Sequence, residues 1–216
     1  MNPRAEPETS QTLDRGLRVM EELAEASGGL TVAELALRID APRAAVYRFV
    51  ATLEAHGYVR RGSDGRVRLG FGVLHLARRV QPILRSAAVP VLRRLAEDLG
   101  ATAHLTVAEG TEGLAVAVVE PSWTDFHVAY RVGSRHLLTQ GAAGKAILLG
   151  RAGAHDPGYA ASESDLQPGA HGLAAPIRDV AGLEASIGIV AFTPFDVADV
   201  VSRVIRAAAE ISVALR

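Results

Sequence analysis

The sequence predicts an α+β protein of two modules, an N-terminal winged helix-turn-helix and a C-terminal antiparallel sheet flanked by helices, with a linker helix between them. Three observations lead there. Apolar residues recur at helical spacing through 12–56, an arginine-rich Asp-Gly hairpin occupies 58–69, and strand-length apolar runs bounded by turn residues follow from 102 onward.

The first eleven residues are polar, carry two prolines and read as a disordered tail. Leu13, Leu17, Met20, Leu23 and Ala24 then mark one face of a helix over 12–26, which Gly28-Gly29 ends. Thr31, with Glu34 three residues later, forms a capping box that opens a short helix through Arg38. Ile39-Asp40-Ala41 turns the chain. Pro42 suits the first position of a third helix, where its missing N–H is not needed. Val46, Phe49, Val50 and Leu53 line the inner face of that helix, and Arg43, Ala44, Tyr47, Arg48 and Ala51 line the outer face. The segments 58–61 and 66–69 alternate as strands across Ser63-Asp64-Gly65, a turn sequence that tolerates positive φ.

Charge is distributed unevenly along the chain. The whole chain has net charge −1, which excludes a histone-like polycation. Residues 31–79 hold nine arginines against four acids, whereas the chain from Val80 onward has eleven basic and fourteen acidic residues. A basic three-helix unit with a basic hairpin implies double-stranded DNA: a helix enters the major groove while hairpin arginines reach phosphates or the minor groove. The candidate contacts are Thr31, Arg38, Arg43, Ala44, Tyr47, Arg48, Arg61 and Arg66, with Tyr47 and Arg48 assigned to phosphate rather than bases. The competing reading is a winged helix that binds protein.

Val73 to Leu84 reads as the linker helix, interrupted by Pro82 and Pro90, with a further helix over 91–99. Strands are expected at 102–108, 113–120, 126–132, 171–178 and 184–192, with helices at 142–149 and 196–215 and a loop over 151–169. The module boundaries follow: tail 1–11, winged helix 12–72, linker helix 73–89 and a second domain 90–216. Alternation places His104 with Thr106 on one face of its strand, and His127 with Ala129 and Arg131 on one face of another. His104, Thr106 and His171 are candidates for a small-molecule pocket, with His127 and Arg131 facing either the pocket or solvent. The amides of Ala142, Ala143 and Gly144, at a helix N-terminus, could receive a carboxylate.

Several chemistries are excluded. Without cysteine there is no disulfide, thiolate nucleophile or thiolate metal site. The seven histidines include no His-x-x-x-His pair, and no Gly-x-Ser-x-Gly elbow occurs, so neither a metal nor catalysis is expected. Gly141 to Lys145 has the G-x-x-G-K of a phosphate loop, but Thr139 and Ala146 stand where glycine and a hydroxyl residue are required. No nucleotide or other cofactor is expected. The N-terminus lacks an apolar signal core and no apolar run reaches about 18 residues, so a cytoplasmic protein without a membrane partner is expected.

The runs Thr12-Leu13-Asp14-Arg15-Gly16-Leu17, Leu30 to Ala36 and Val46 to Val59 resemble the DNA-binding half of an IclR-family transcriptional regulator. The resemblance continues through Gly133-Ser134-Arg135, Gly141 to Ala146, Gly158-Tyr159-Ala160, Asp165 to Gly169 and Gly172 to Ile177, in the family's order and over nearly the whole chain. It implies a GAF-like effector domain, a homodimer or homotetramer, and a small-molecule effector, an organic acid or aromatic metabolite, that alters operator binding. It also adds Asp165 and Gly188 to the effector-binding candidates. The chain departs from the family pattern at Arg43-Ala44-Ala45, which lacks the hydroxyls usual at the start of the recognition helix. It departs again at Leu137-Leu138-Thr139, Gly172, Gly188 and Val190 in the effector domain. Two alternatives stay open: a regulator whose sensor domain binds nothing, and a small-molecule enzyme with a protein-binding winged helix.

Overall fold

Thr31 closes the capping box that its spacing predicts. Its hydroxyl accepts from the Glu34 amide at 3.2 Å, and the Glu34 carboxylate accepts from the Thr31 amide at 2.7 Å. This starts α2 (Val32–Arg38), which with α1 (Gln11–Glu25) and α3 (Arg43–Ala55) makes the helical part of the first unit in a computed structural model describing residues 9–124, 128 and 130–216. The expected tail over 1–11 lies outside the described residues except for 9–11, of which Gln11 is already helical. Pro42 is the N-cap of α3 rather than its first residue, and its carbonyl accepts from Val46.

The first unit, Met1–Val80, packs Val19, Leu23, Leu35, Ile39, Val46, Val50, Val59 and Val67 into one core. Burial of each such side chain contributes roughly 1.5–3 kcal/mol. The predicted α1 stripe needs correction: Val19 and Leu23 are buried, but Leu13 and Leu17 are 63% and 50% exposed and Ala24 is exposed. The core covers only the later turns of α1, so helical spacing identified the helix without identifying its buried face.

Strands β1 (Val59–Arg61) and β2 (Val67–Leu69) pair antiparallel, and residues 62–66 connect them. The turn is longer than a two-residue type I′ turn, which needs positive φ at both central residues. Gly65 has φ +73°, while Asp64 stays at negative φ and ties Arg68 across the loop at 2.6 Å.

Helix α4 (Gly72–Leu99) runs through both Pro82 and Pro90, where two helices were expected. An interior proline forfeits one backbone bond and crowds the preceding turn, but tertiary burial can offset that cost of about 3 kcal/mol. Here Ala88, Val91, Leu92, Leu95 and Ala96 are buried on either side of Pro90. Among the described residues no helix is long and apolar enough to cross a membrane.

The second unit, Gln81–Arg216, is built on a six-stranded antiparallel sheet in the order β5-β4-β3-β8-β7-β6. Its strands are β3 (Thr102–Glu109), β4 (Glu112–Val119), β5 (Arg135–Leu137), β6 (Ala160–Glu163), β7 (His171–Ile177) and β8 (Ala185–Ala191). The strand expected over 126–132 falls partly outside the described residues, and Val128, Tyr130, Arg131 and Val132 carry no strand. β5 and β6 were not expected. Each has four residues or fewer, too short for alternation to show, and β6 interrupts the segment read as a loop.

Period-two alternation sorts this sheet into two faces. Leu105, Leu173, Ile187 and Ile189 pack with α4 and with α6 (Val197–Leu215) in the main core. Across the other face lies α5 (Gly141–Arg151), where Ala142, Ala146, Ala160 and Ala174 form a small second cluster. His104 and Thr106 belong to strand positions between the apolar ones, and the Ser186 hydroxyl donates to the Ala143 carbonyl at 2.9 Å.

Gly144 lets α5 come this close. A Cβ there would sit 2.6–2.8 Å from the Leu138 backbone. Gly144→Ala is expected to destabilise the protein by about 1–3 kcal/mol through overpacking, read as a lower urea midpoint at unchanged slope; an unchanged midpoint would show that the helix can retreat freely.

Candidate nucleic-acid interface and ligand pocket

On the first unit, the outer face of α3 carries Arg43, Ala44, Tyr47 and Arg48, all exposed, with Tyr47 52% accessible. Neither Arg43 nor Arg48 makes an ion pair among the described residues. The arginines of the hairpin differ. Arg61 pairs with Glu54 at 3.3 Å and lies 5.5 Å over the Tyr47 ring, coupling the hairpin to α3. Arg60 sits over Phe71. Arg68 is held by Asp64, whose carboxyl falls far below the usual range mainly through that bond.

Arg66 donates to the Gly29 carbonyl at 2.7 Å and to Glu34 at 3.2 Å, and so staples the hairpin to the start of α2. The Thr31 amide and hydroxyl, then Arg66, hold the Glu34 carboxyl below its ordinary value. Arg38 pairs with Glu22 at 3.1 Å. Of the eight residues chosen from the sequence, Arg43, Ala44, Tyr47 and Arg48 therefore present one helix face. Thr31, Arg38, Arg61 and Arg66 are engaged within the unit.

On the second unit a cavity of about 260 Å³ opens beside the N-terminus of α5. His104, Ala142, Ala143 and Asp165 line it, as do Tyr130, Arg135, His136, Ser162, Leu166 and Val190. Thr106 stands behind His104, its hydroxyl 3.4 Å from Nδ1. Gly188 lies under the same ring, where a Cβ would meet His104 Cε1 at 3.0 Å. Gly144 and His171 are not in the lining: Gly144 packs on Leu138, and His171 begins β7 paired with Glu163. His127 lies outside the described residues, and Arg131 is exposed.

Two of the amides that open α5 are already engaged. Gly141 N–H donates to Asp165 Oδ2 at 3.1 Å, and Ala142 N–H donates to Ser162 Oγ at 2.9 Å. Lys145 closes on the same Asp165 oxygen at 2.6 Å. The Lys145 ammonium first, and the Gly141 amide after it, hold the Asp165 carboxyl below the usual carboxylate range. Arg135 is paired with both Glu109 and Glu112.

The sequence reading missed Tyr130, His136 and Ser162. Tyr130 falls on the opposite parity from the face chosen for 126–132. Ser162 arrives on the unforeseen β6. His136 lies on β5, three residues long and too short for alternation to announce its burial.

Comparison with known proteins shows the family of the chain. Residues 12–63 match the IclR helix-turn-helix domain, and residues 79–156 match the bacterial transcriptional regulator IclR C-terminal domain. The HTH-type transcriptional regulator BhcR of Paracoccus denitrificans is 30% identical over 222 residues, covering 83% of this chain and 76% of that protein. The chain belongs to the IclR family of transcriptional regulators.

The acetate operon repressor of Salmonella typhimurium is 28% identical over 142 residues, 64% of this chain. The chain spans 52% of the length of that relative. Among solved structures, an IclR homolog from Microbacterium hydrocarbonoxydans complexed with 4-hydroxybenzoate aligns with a TM-score of 0.57 at 24% identity, over 95% of this chain and 99% of that one. An IclR-family protein from Rhodococcus sp. aligns with a TM-score of 0.58 at 23% identity, over 98% of this chain and all of that one. These likenesses establish the IclR fold, a helix-turn-helix unit followed by an antiparallel sheet domain.

His104 makes a stability prediction. Burial foremost, with the neighbouring His136, lowers its pKa to about 3, so the ring stays neutral in the folded chain. Between pH 6.5 and about 3 the unfolded chain binds a proton that the folded chain refuses. Stability therefore falls as pH falls, by up to about 1.4 kcal/mol per pH unit. Urea unfolding at pH 7 and pH 5 is expected to show a loss of about 2 kcal/mol that shrinks in His104→Phe; an equal loss in the variant would assign the pH dependence elsewhere.

Proposed function

We propose that the chain binds operator DNA through α3 and that its sheet domain senses a small molecule which alters that binding. The observation that carries the DNA reading is the division of the arginines. Those of the hairpin are held by Glu54, Glu34, Asp64 and the Phe71 ring, while Arg43 and Arg48 on α3 keep exposed guanidinium groups with no ion pair among the described residues. Unpaired cations on a helix that fits the major groove are the groups that can exchange condensed counterions for phosphate contacts. The pocket beside α5 supports the sensing reading, because it concentrates buried polar atoms in an otherwise apolar cleft.

The DNA-binding species is a homodimer or a higher assembly of dimers on a pseudo-palindromic site. Effector binding changes the placement of its two α3 helices and hence their match to half-sites about one helical turn, or a multiple, apart. Leu13 and Leu17 on α1, and Leu74, Leu76 and Val80 on α4, are exposed apolar side chains that such pairing would cover. If pairing covers them, Leu13→Glu/Leu17→Glu is expected to shift the protein to monomer, measured by sedimentation; a variant that sediments as wild type would place the interface elsewhere.

The DNA reading is tested by Arg48→Ala. The expected result is uniformly weaker binding across DNA sequences, with the slope of log K against log salt reduced by about one. A change in sequence preference at unchanged slope would make Arg48 a base reader.

A further inference from the structure

Among the described residues, no side-chain cation lining the pocket beside α5 is unpaired. The Gly141 and Ala142 amides at the start of α5 are bonded to Asp165 and Ser162, Lys145 is bonded to Asp165, and Arg135 is paired with Glu109 and Glu112. The Asp165 carboxylate itself lines the cavity. His104 is 4% exposed and neutral. A second carboxylate placed there would be desolvated without an unpaired cation among the described residues and would face Asp165, both of which are costly.

Two polar atoms of the lining are unsatisfied instead. His136 is 8% exposed, and its Nε2 is buried without a hydrogen-bond partner. Its Nδ1 lies 3.1 Å from the Leu137 carbonyl oxygen, which can only accept, so Nδ1 carries a proton and, in the tautomer with one ring proton, Nε2 is an acceptor. The Tyr130 hydroxyl is likewise buried; Thr106 faces it without closing a bond of ordinary geometry. Beside the polar Ser162 and Gln167, the lining is apolar or aromatic at Val128, Leu166, Val190 and Ala170, with the His104 and Tyr130 rings edge to face at 5.0 Å. At about 260 Å³ the cavity is smaller than the roughly 300–1,000 Å³ of drug-sized sites, which suits a single ring.

We propose that the ligand of this pocket is an uncharged, single-ring aromatic hydroxyl compound, a phenol or an aromatic alcohol, whose O–H groups donate to His136 Nε2 and pair with the Tyr130 hydroxyl, and that carboxylates are disfavoured. The proposal rests on the sensing reading above and narrows its ligand to a chemical class; of the three α5 amides expected to receive an acid, that of Ala142 already donates to Ser162. Asp165 takes the place such an acid would have taken.

The test titrates the full-length protein at pH 8 with 4-hydroxybenzyl alcohol and with 4-hydroxybenzoate, which differ at one substituent, by calorimetry and thermal shift. The alcohol is expected to bind at least about tenfold more tightly. Tyr130→Phe and His136→Phe are each expected to weaken the alcohol about three- to tenfold, the worth of one neutral hydrogen bond. Tyr130→Phe removes only an oxygen, so it reports even if His136→Phe folds poorly. Asp165→Asn is expected to strengthen 4-hydroxybenzoate. Equal or tighter binding of 4-hydroxybenzoate by the wild type would overturn the proposal and leave sensing intact. No binding of either compound by a protein that still binds operator would overturn the proposal and remove the sensing reading's support at this pocket.

Discussion

The Glu34 carboxylate accepts from the Thr31 amide and hydroxyl and from Arg66, and the Asp165 carboxylate accepts from the Gly141 amide and from Lys145. In each unit one acid thus holds a helix N-terminus and neutralises one cation. The reason is general: orphan amides at a helix start and a nearby cation both stabilise an anion, so an acid within reach of both is held there. What each unit can offer a partner follows from what these acids leave over. In the first unit the hairpin arginines are engaged and the α3 arginines are free. In the second, the pocket keeps buried polar atoms without a partner and, among the described residues, no unpaired cation.

The same pairing gives the two units different chemistry on a chain of net charge −1. Free guanidinium groups on an exposed helix attract a polyanion whose bound counterions they displace. A small pocket without an unpaired cation selects by shape and hydrogen bonding instead, because desolvating a charge there finds no compensation. Membership of the IclR family fits the first of these directly. The neutrality of the second belongs to this chain's own residues, above all Asp165, Ser162 and His136.

Much of this was legible in the sequence, where local rules were strong. The capping box at Thr31 and Glu34, the exposed Arg43–Tyr47–Arg48 face and the alternation that sets His104 and Thr106 apart from Ala103 and Leu105 all follow from spacing alone. The buried face of α1 did not follow, because Leu13 and Leu17 share helical spacing with residues that are buried. Continuity of α4 through two prolines is decided by tertiary burial around Ala88 to Ala96, which propensity does not see. The pocket was read only in part. Ser162 and Asp165 reach α5 from about 20 residues away in sequence, at 20 and 24 positions, and β6, which carries Ser162, is too short to announce itself.

The most direct measurement is binding of the purified chain to DNA upstream of its own coding sequence and to scrambled DNA of equal composition, across a salt series from about 50 to 200 mM. Selective binding of the upstream DNA, with affinity falling steeply as salt rises, is the predicted result. Equal affinity for both DNAs, or no binding at the lowest salt, would contradict a role for the free α3 arginines in operator recognition.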